Sequence, residues 1–122
     1  MFKLCVESDF SAAHRLVDYP GPCHRIHGHN WKVKATIAAE TLDELGMVID
    51  LYDLKTILDE CLQQFDHRII NEVLPFDKIN PTSENLAKYI YEFMENKCPE
   101  KVKMDQVEIF ETEKFSVIFS KT

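Results

Sequence analysis

The stretch NWKVKATIAA, residues 30–39, alternates without a break. Trp31, Val33, Ala35 and Ile37 fall on one side, and Lys32, Lys34 and Thr36 on the other. Successive side chains of a strand point to opposite faces, so this reads as a strand with one buried and one polar face. MFKLCVESDF, residues 1–10, repeats the pattern: Phe2, Leu4, Val6, Ser8 and Phe10 oppose Lys3, Cys5, Glu7 and Asp9. Pro20, Gly21 and Pro22 mark a loop between the two, which lets them pair as a hairpin.

Downstream the period changes. In DLYDLKTILDECLQQF, residues 50–65, a stripe of Leu51, Leu54, Ile57, Leu58, Cys61, Leu62 and Phe65 predicts an amphipathic helix. Asp50 suits its N-cap and Asp53 its first turn, where the helix dipole favours negative charge. A second helix follows NPTSEN, residues 80–85, with Thr82 or Ser83 as cap and a stripe of Leu86, Ala87, Ile90, Phe93 and Met94, ending before Pro99. DQVEIFET and FSVIFS then predict two strands joined by a tight charged turn at Glu113 and Lys114. The order ββααββ implies an α+β fold with a four-stranded antiparallel sheet and two helices on one face. The other face, with Lys3, Glu7, Lys32, Lys34 and Glu108, is polar and either meets water or lines an interior shared with other subunits.

The chain has 122 residues, enough for a single domain over 1–122, and 45% of them are hydrophobic, enough for a core. Its net charge of −7 argues against nucleic-acid binding, which rests on neutralising phosphates. A polyanionic small substrate would need a local positive patch or a bound cation. The start lacks the basic and apolar regions of a signal peptide, and no apolar run approaches the ~20 residues of a membrane span. Cys5, Cys23, Cys61 and Cys98 lack C-x-x-C spacing and read as reduced thiols of a cytoplasmic protein.

PCHRIHGHN, residues 22–30, puts Cys23, His24, His27 and His29 close together. His27 and His29 are two apart on an incoming strand, so their imidazoles point the same way. If the two strands pair as a hairpin, His14, just after the first strand, arrives beside them. Three neutral imidazoles suit zinc and leave its fourth position open. Cys23 admits three readings: a fourth ligand closing a structural site, a thiolate acting as base or nucleophile, or an inert thiol. Asp66 and His67 fall where the first helix ends, a carboxylate able to hold an imidazole's tautomer. Glu111 ends the third strand. If buried, its carboxylate would need donors from a ligand, and two parallel N–H groups of a guanidine-like heterocycle edge would match it.

FSAAH, CHRIHGHN, GMVIDLYDLK, FDHRIIN, NPTSENLAKYI and VEIFET occur here in the order expected of the 6-pyruvoyl-tetrahydropterin synthase family, which the chain resembles over nearly its whole length. The interval from Cys23 to His27 is similar to that of the bacterial branch, 6-carboxy-tetrahydropterin synthase of the queuosine pathway. The resemblance implies the tunnelling fold, in which three subunits join their sheets into a barrel and two rings stack as a homohexamer with active sites between subunits. It also implies a lyase that converts 7,8-dihydroneopterin triphosphate to 6-carboxy-5,6,7,8-tetrahydropterin, acetaldehyde and triphosphate. The alternative product is the 6-pyruvoyl compound, without side-chain cleavage. By position, His14, His27 and His29 would hold Zn2+. Cys23 would be a catalytic base, Asp66 and His67 the second proton-transfer unit, and Glu111 the anchor of the pterin's pyrimidine edge. Thr82, Ser83 and Glu84 would contribute to the pterin pocket. Two further alternatives are a non-catalytic zinc module, with Cys23 as fourth ligand, and a pterin- or purine-binding member without turnover.

Overall fold

The structure, a computed structural model, describes residues 1–21 and 24–122. Strands β1 (Phe2–His14) and β2 (His27–Ala39) form a long hairpin. They are followed by α1 (Leu51–Leu62), a one-turn 3-10 helix (Ile70–Glu72), α2 (Ser83–Lys97), β3 (Lys103–Thr112) and β4 (Phe115–Phe119). The sheet order is β1-β2-β3-β4, antiparallel throughout, with both helices on one face, as the hydrophobic pattern predicts.

The core lies between the sheet and the helices. Val33, Ala35, Ile37, Val107 and Ile109 meet Leu54, Leu58, Leu86, Ile90 and Met94, all fully buried. Asp50 caps α1 by accepting from the Tyr52 N–H at 2.8 Å, and Thr82 caps α2 by accepting from the Asn85 N–H at 3.1 Å. Leu51 departs from the expected stripe. It is 56% exposed and borders an apolar hollow with Phe2, Leu42 and Met47. The opposite sheet face is polar. Glu7 reaches Lys34 at 3.3 Å and Lys32 at 3.8 Å, and both lysines lie over the Phe110 ring. Among the described residues, no helix is long and apolar enough to cross a membrane.

The first strand runs further than alternation alone suggests. Ser11 and Ala13 are paired with Asn30 and Gly28, so the ladder continues to its last rung, His14 opposite His27. That extension prolongs the core side of the hairpin, where Phe10, Ala12 and His14 on β1 face the same way as Trp31, His29 and His27 on β2. The polar end of this apolar face is where the histidines gather.

Candidate metal centre and adjoining cleft

The hairpin register sets His14 opposite His27 and the small Ala12 opposite His29. The three rings lie 4.6, 4.8 and 5.4 Å apart by centroid. Trp31 underlies them, edge-on to His14 and His29 at 4.9 and 5.3 Å, with its indole N–H donating to the Ala12 carbonyl at 3.2 Å. On β3, Val107 and Ile109 face the core, and the strand's two-residue period brings Glu111 to the same side. Its Oε1 lies 3.2 Å from His14 Nε2 and 3.1 Å from His29 Nε2. His14, His27, His29 and Glu111 thus offer four ligand atoms within 4.8 Å of one another.

The ring nitrogens sort themselves by partner. His14 Nδ1 sits 2.8 Å from the Pro81 carbonyl and His27 Nδ1 2.7 Å from the Arg25 carbonyl. A carbonyl only accepts, so each Nδ1 carries the proton and each Nε2 presents a lone pair to the cluster. The buried Nε2 atoms of His14 and His29 have no well-aligned hydrogen bond, despite the nearby Glu111 oxygen. His14 is 1% exposed. Burial holds both His14 and His29 below the ordinary imidazole pKa and keeps them neutral, the form that ligates metals. Buried, neutral, oriented imidazoles with bare Nε2 atoms fit a divalent ion such as zinc. The cluster differs from the expectation in one respect: a carboxylate stands at the side left open for a fourth ligand.

Asp66 and His67 follow α1, where the chain turns back onto the outer edge of β1. Asp66 Oδ1 accepts the Ser11 N–H at 3.0 Å, the His67 N–H donates to the Ser11 carbonyl at 2.6 Å, and the Ala13 N–H donates to the Arg68 carbonyl at 3.0 Å. His67 adopts φ 59°, in the left-handed region, and its Nδ1 lies 3.0 Å from Asp66 Oδ1. The Ser11 N–H holds the Asp66 carboxyl below its usual pKa, with His67 adding to the effect. This loop and the hairpin enclose a cleft of about 470 Å³ lined by Ser11, Gly28, His29, Asn30 and His67, among others. His67 and His29, one of the cluster's imidazoles, therefore line the same cleft.

Thr82, Ser83 and Glu84 do not line that cleft in this chain. Thr82 and Glu84 serve the start of α2. The connection of this loop to the site is Pro81, whose carbonyl orients His14, a contact that sequence reading missed because a backbone oxygen has no residue signature. Asn80 and Asn71 were missed too. Asn71 exchanges two hydrogen bonds with the Arg15 backbone, at 2.9 and 3.0 Å, and Asn80 accepts from the Val17 N–H at 2.9 Å. Together they continue a ladder along the chain leaving His14. Cys23 lies outside the described residues.

Comparison with known proteins agrees with this architecture. The family model described as 6-pyruvoyl tetrahydropterin synthase matches residues 3–122. The 6-carboxy-5,6,7,8-tetrahydropterin synthase of Synechocystis is 35% identical over 100 residues, covering 78% of this chain and 76% of the relative. Human 6-pyruvoyl tetrahydrobiopterin synthase is 33% identical over 124 residues, covering 90% and 85%. The solved structure of Caenorhabditis elegans 6-pyruvoyl tetrahydropterin synthase superposes with a TM-score of 0.87 at 31% identity, over 99% of this chain and 96% of that one.

Proposed function

Since the chain belongs to the 6-pyruvoyl tetrahydropterin synthase family, we propose that it converts 7,8-dihydroneopterin triphosphate, with water, to 6-carboxy-5,6,7,8-tetrahydropterin, acetaldehyde and triphosphate, in queuosine biosynthesis. The observation that carries this reading is the imidazole cluster: three histidines on two paired strands, with the Nδ1 atoms of His14 and His27 pinned to carbonyls and Nε2 atoms turned inward. His14, His27 and His29 would hold zinc, which when bound would supply Lewis-acid chemistry toward the substrate's side chain.

The chain's own groups do the rest. Cys23, as thiolate, takes a carbon-bound proton from the dihydroxypropyl side chain. His67, its ring held by Asp66, works as the second acid and base from the cleft beside His29. Glu111 accepts the paired N–H groups of the pyrimidine edge. His67, at φ 59°, lines the wall of that cleft. Three chains joining their sheets, and two such rings, complete each site between subunits and place the lysine-bearing sheet face inside a barrel.

The spacing of Cys23 and His27 and the carboxy-forming relative favour the 6-carboxy product. The human and nematode relatives, named for the 6-pyruvoyl compound, support the alternative in which triphosphate is eliminated and the side chain stays whole. Incubation of the purified protein with 7,8-dihydroneopterin triphosphate, followed by identification of the pterin and an assay for acetaldehyde, decides between them. A 6-carboxy product with acetaldehyde is expected; a 6-pyruvoyl product assigns the chain to the other branch. Binding without turnover removes the enzymatic reading. Cys23→Ala should retain zinc and lose turnover, whereas loss of the metal in that variant makes Cys23 a structural ligand.

A further inference from the structure

A triphosphate brings several negative charges to a chain whose own net charge is −7. Binding it takes a local cation that is not already neutralised. The chain has three arginines, and each stands within two residues of a site histidine: Arg15 by His14, Arg25 by His27 and Arg68 by His67. Five lysines pair with carboxylates, yet among the described residues no arginine has a carboxylate oxygen within 4.0 Å. Arg68 alone of the three lines the cleft shared by His29 and His67. No aspartate or glutamate lines that cleft, so this guanidinium is its one permanently charged group. The nearby Asp66 carboxylate turns its Oδ1 to the Ser11 N–H at 3.0 Å.

We propose that Arg68 is the anion anchor of this cleft and holds the triphosphate of the substrate. The anion site stands on the geometry alone; that the triphosphate belongs to a pterin rests on the reading under Proposed function. The root of the side chain is fixed. The Arg68 carbonyl accepts the Ala13 N–H at 3.0 Å, and the Arg68 N–H donates to the Phe65 carbonyl at 3.1 Å. The guanidinium beyond it is exposed, and its planar fork matches two phosphate oxygens at once. The cleft floor leaves room for the anion. Ala13 and Gly28 are small, and a Cβ at Gly28 would meet nothing nearer than the Ala12 carbonyl oxygen at 4.0 Å. The Ser11 hydroxyl donates to Asn30 Oδ1 at 2.7 Å, which leaves the Asn30 N–H2 group, a donor, to the cleft. Its volume of about 470 Å³ lies within the range of small-molecule sites. His29 belongs to both the cleft and the histidine cluster, so a single ligand can meet both.

The test titrates inorganic triphosphate calorimetrically into the full chain, with bound zinc measured before and after. Wild type is compared with Arg68→Gln, with Arg68→Lys, which keeps the charge and loses the fork, and with Lys97→Gln. Lys97 lies at the far end of α2 from the Pro81 loop and controls for net charge. Arg68→Gln is expected to weaken triphosphate binding roughly tenfold or more, the size of a lost charge-assisted contact. Arg68→Lys should recover part of the loss, and Lys97→Gln should match the wild type. Unphosphorylated 7,8-dihydroneopterin should bind wild type and Arg68→Gln equally, since it has nothing for the guanidinium to hold. The proposal is overturned if wild type binds no triphosphate, or if Arg68→Gln binds it as tightly as wild type, which would leave the metal or another cation as the anchor. It is also overturned if Lys97→Gln loses as much, which makes the attraction one of net charge, or if dihydroneopterin weakens in step with triphosphate, which makes the role structural. A wild type that holds triphosphate through Arg68 but binds no dihydroneopterin keeps the anion site and overturns the pterin reading instead.

Discussion

At the scale of single residues, the site depends on who holds each polar atom. Asp66 is held by the Ser11 N–H, and this contact lowers its pKa. A carboxylate with a depressed folded-state pKa stabilises the fold above its unfolded value, near 3.9, and that contribution is lost as pH falls through the lower folded value. The amide resonance of Ser11, followed by NMR on acidification, should therefore shift with a midpoint below 3.9, and in Asp66→Asn the transition should vanish. His67 sits at φ 59°, where a side chain strains the backbone by about 1 kcal/mol. His67→Gly should match or slightly exceed the thermal stability of the wild type while turnover falls by two or more orders of magnitude, the usual size of an acid–base contribution. Sequence reading found His14, His27, His29 and the Asp66–His67 pair because titratable side chains at short spacing are visible in one dimension. It gave Glu111 a role toward substrate but not its place against the histidines, which only the sheet register discloses.

At the scale of elements, the alternation of residues 1–10 and 30–39 and the stripes of both helices were legible, since burial imposes those periods directly. The last turn of β1 was not, because Ser11, Ala12 and Ala13 carry little hydrophobic contrast and are fixed by their partners on β2. The same holds for the turn before α2. Thr82 accepts the Asn85 N–H, and the Thr82 N–H and the Asn85 side chain both donate to the Asn80 carbonyl, at 2.8 Å each. This rigid turn presents the Pro81 carbonyl to His14. Thr82→Ala should cost about 1 kcal/mol in denaturant unfolding and hasten metal release, while Thr82→Ser, which keeps the accepting oxygen, should restore both. Leu58, fully buried on α1, offers a contrast. Leu58→Ala should lose about 2–5 kcal/mol of stability and leave the affinity of the folded protein for cobalt unchanged, as read by metal titration well below the melting temperature.

For the whole molecule, the outer strands of the sheet are β1 and β4, and unpaired strand edges invite pairing with another chain. Sedimentation velocity is expected to give a species of six chains of 14.3 kDa, with turnover per chain falling on dilution into subunits; a monomer with full turnover would separate the reaction from the assembly. The groups tied to chemistry lie at the end of the sheet where His14 meets His27, and the apolar hollow bounded by Phe2 and Leu51 lies at the other, where Phe2 meets Ala39. The chain's one tryptophan, Trp31, sits wholly inside the first of these ends, with two imidazoles against its ring. Its emission is thus a native optical gauge: the one tryptophan, excited at wavelengths the four tyrosines do not absorb, reads ion uptake in unlabelled protein. The same signal changes when the chain melts, so fluorescence melting curves of loaded and stripped samples differ in starting intensity as well as in midpoint.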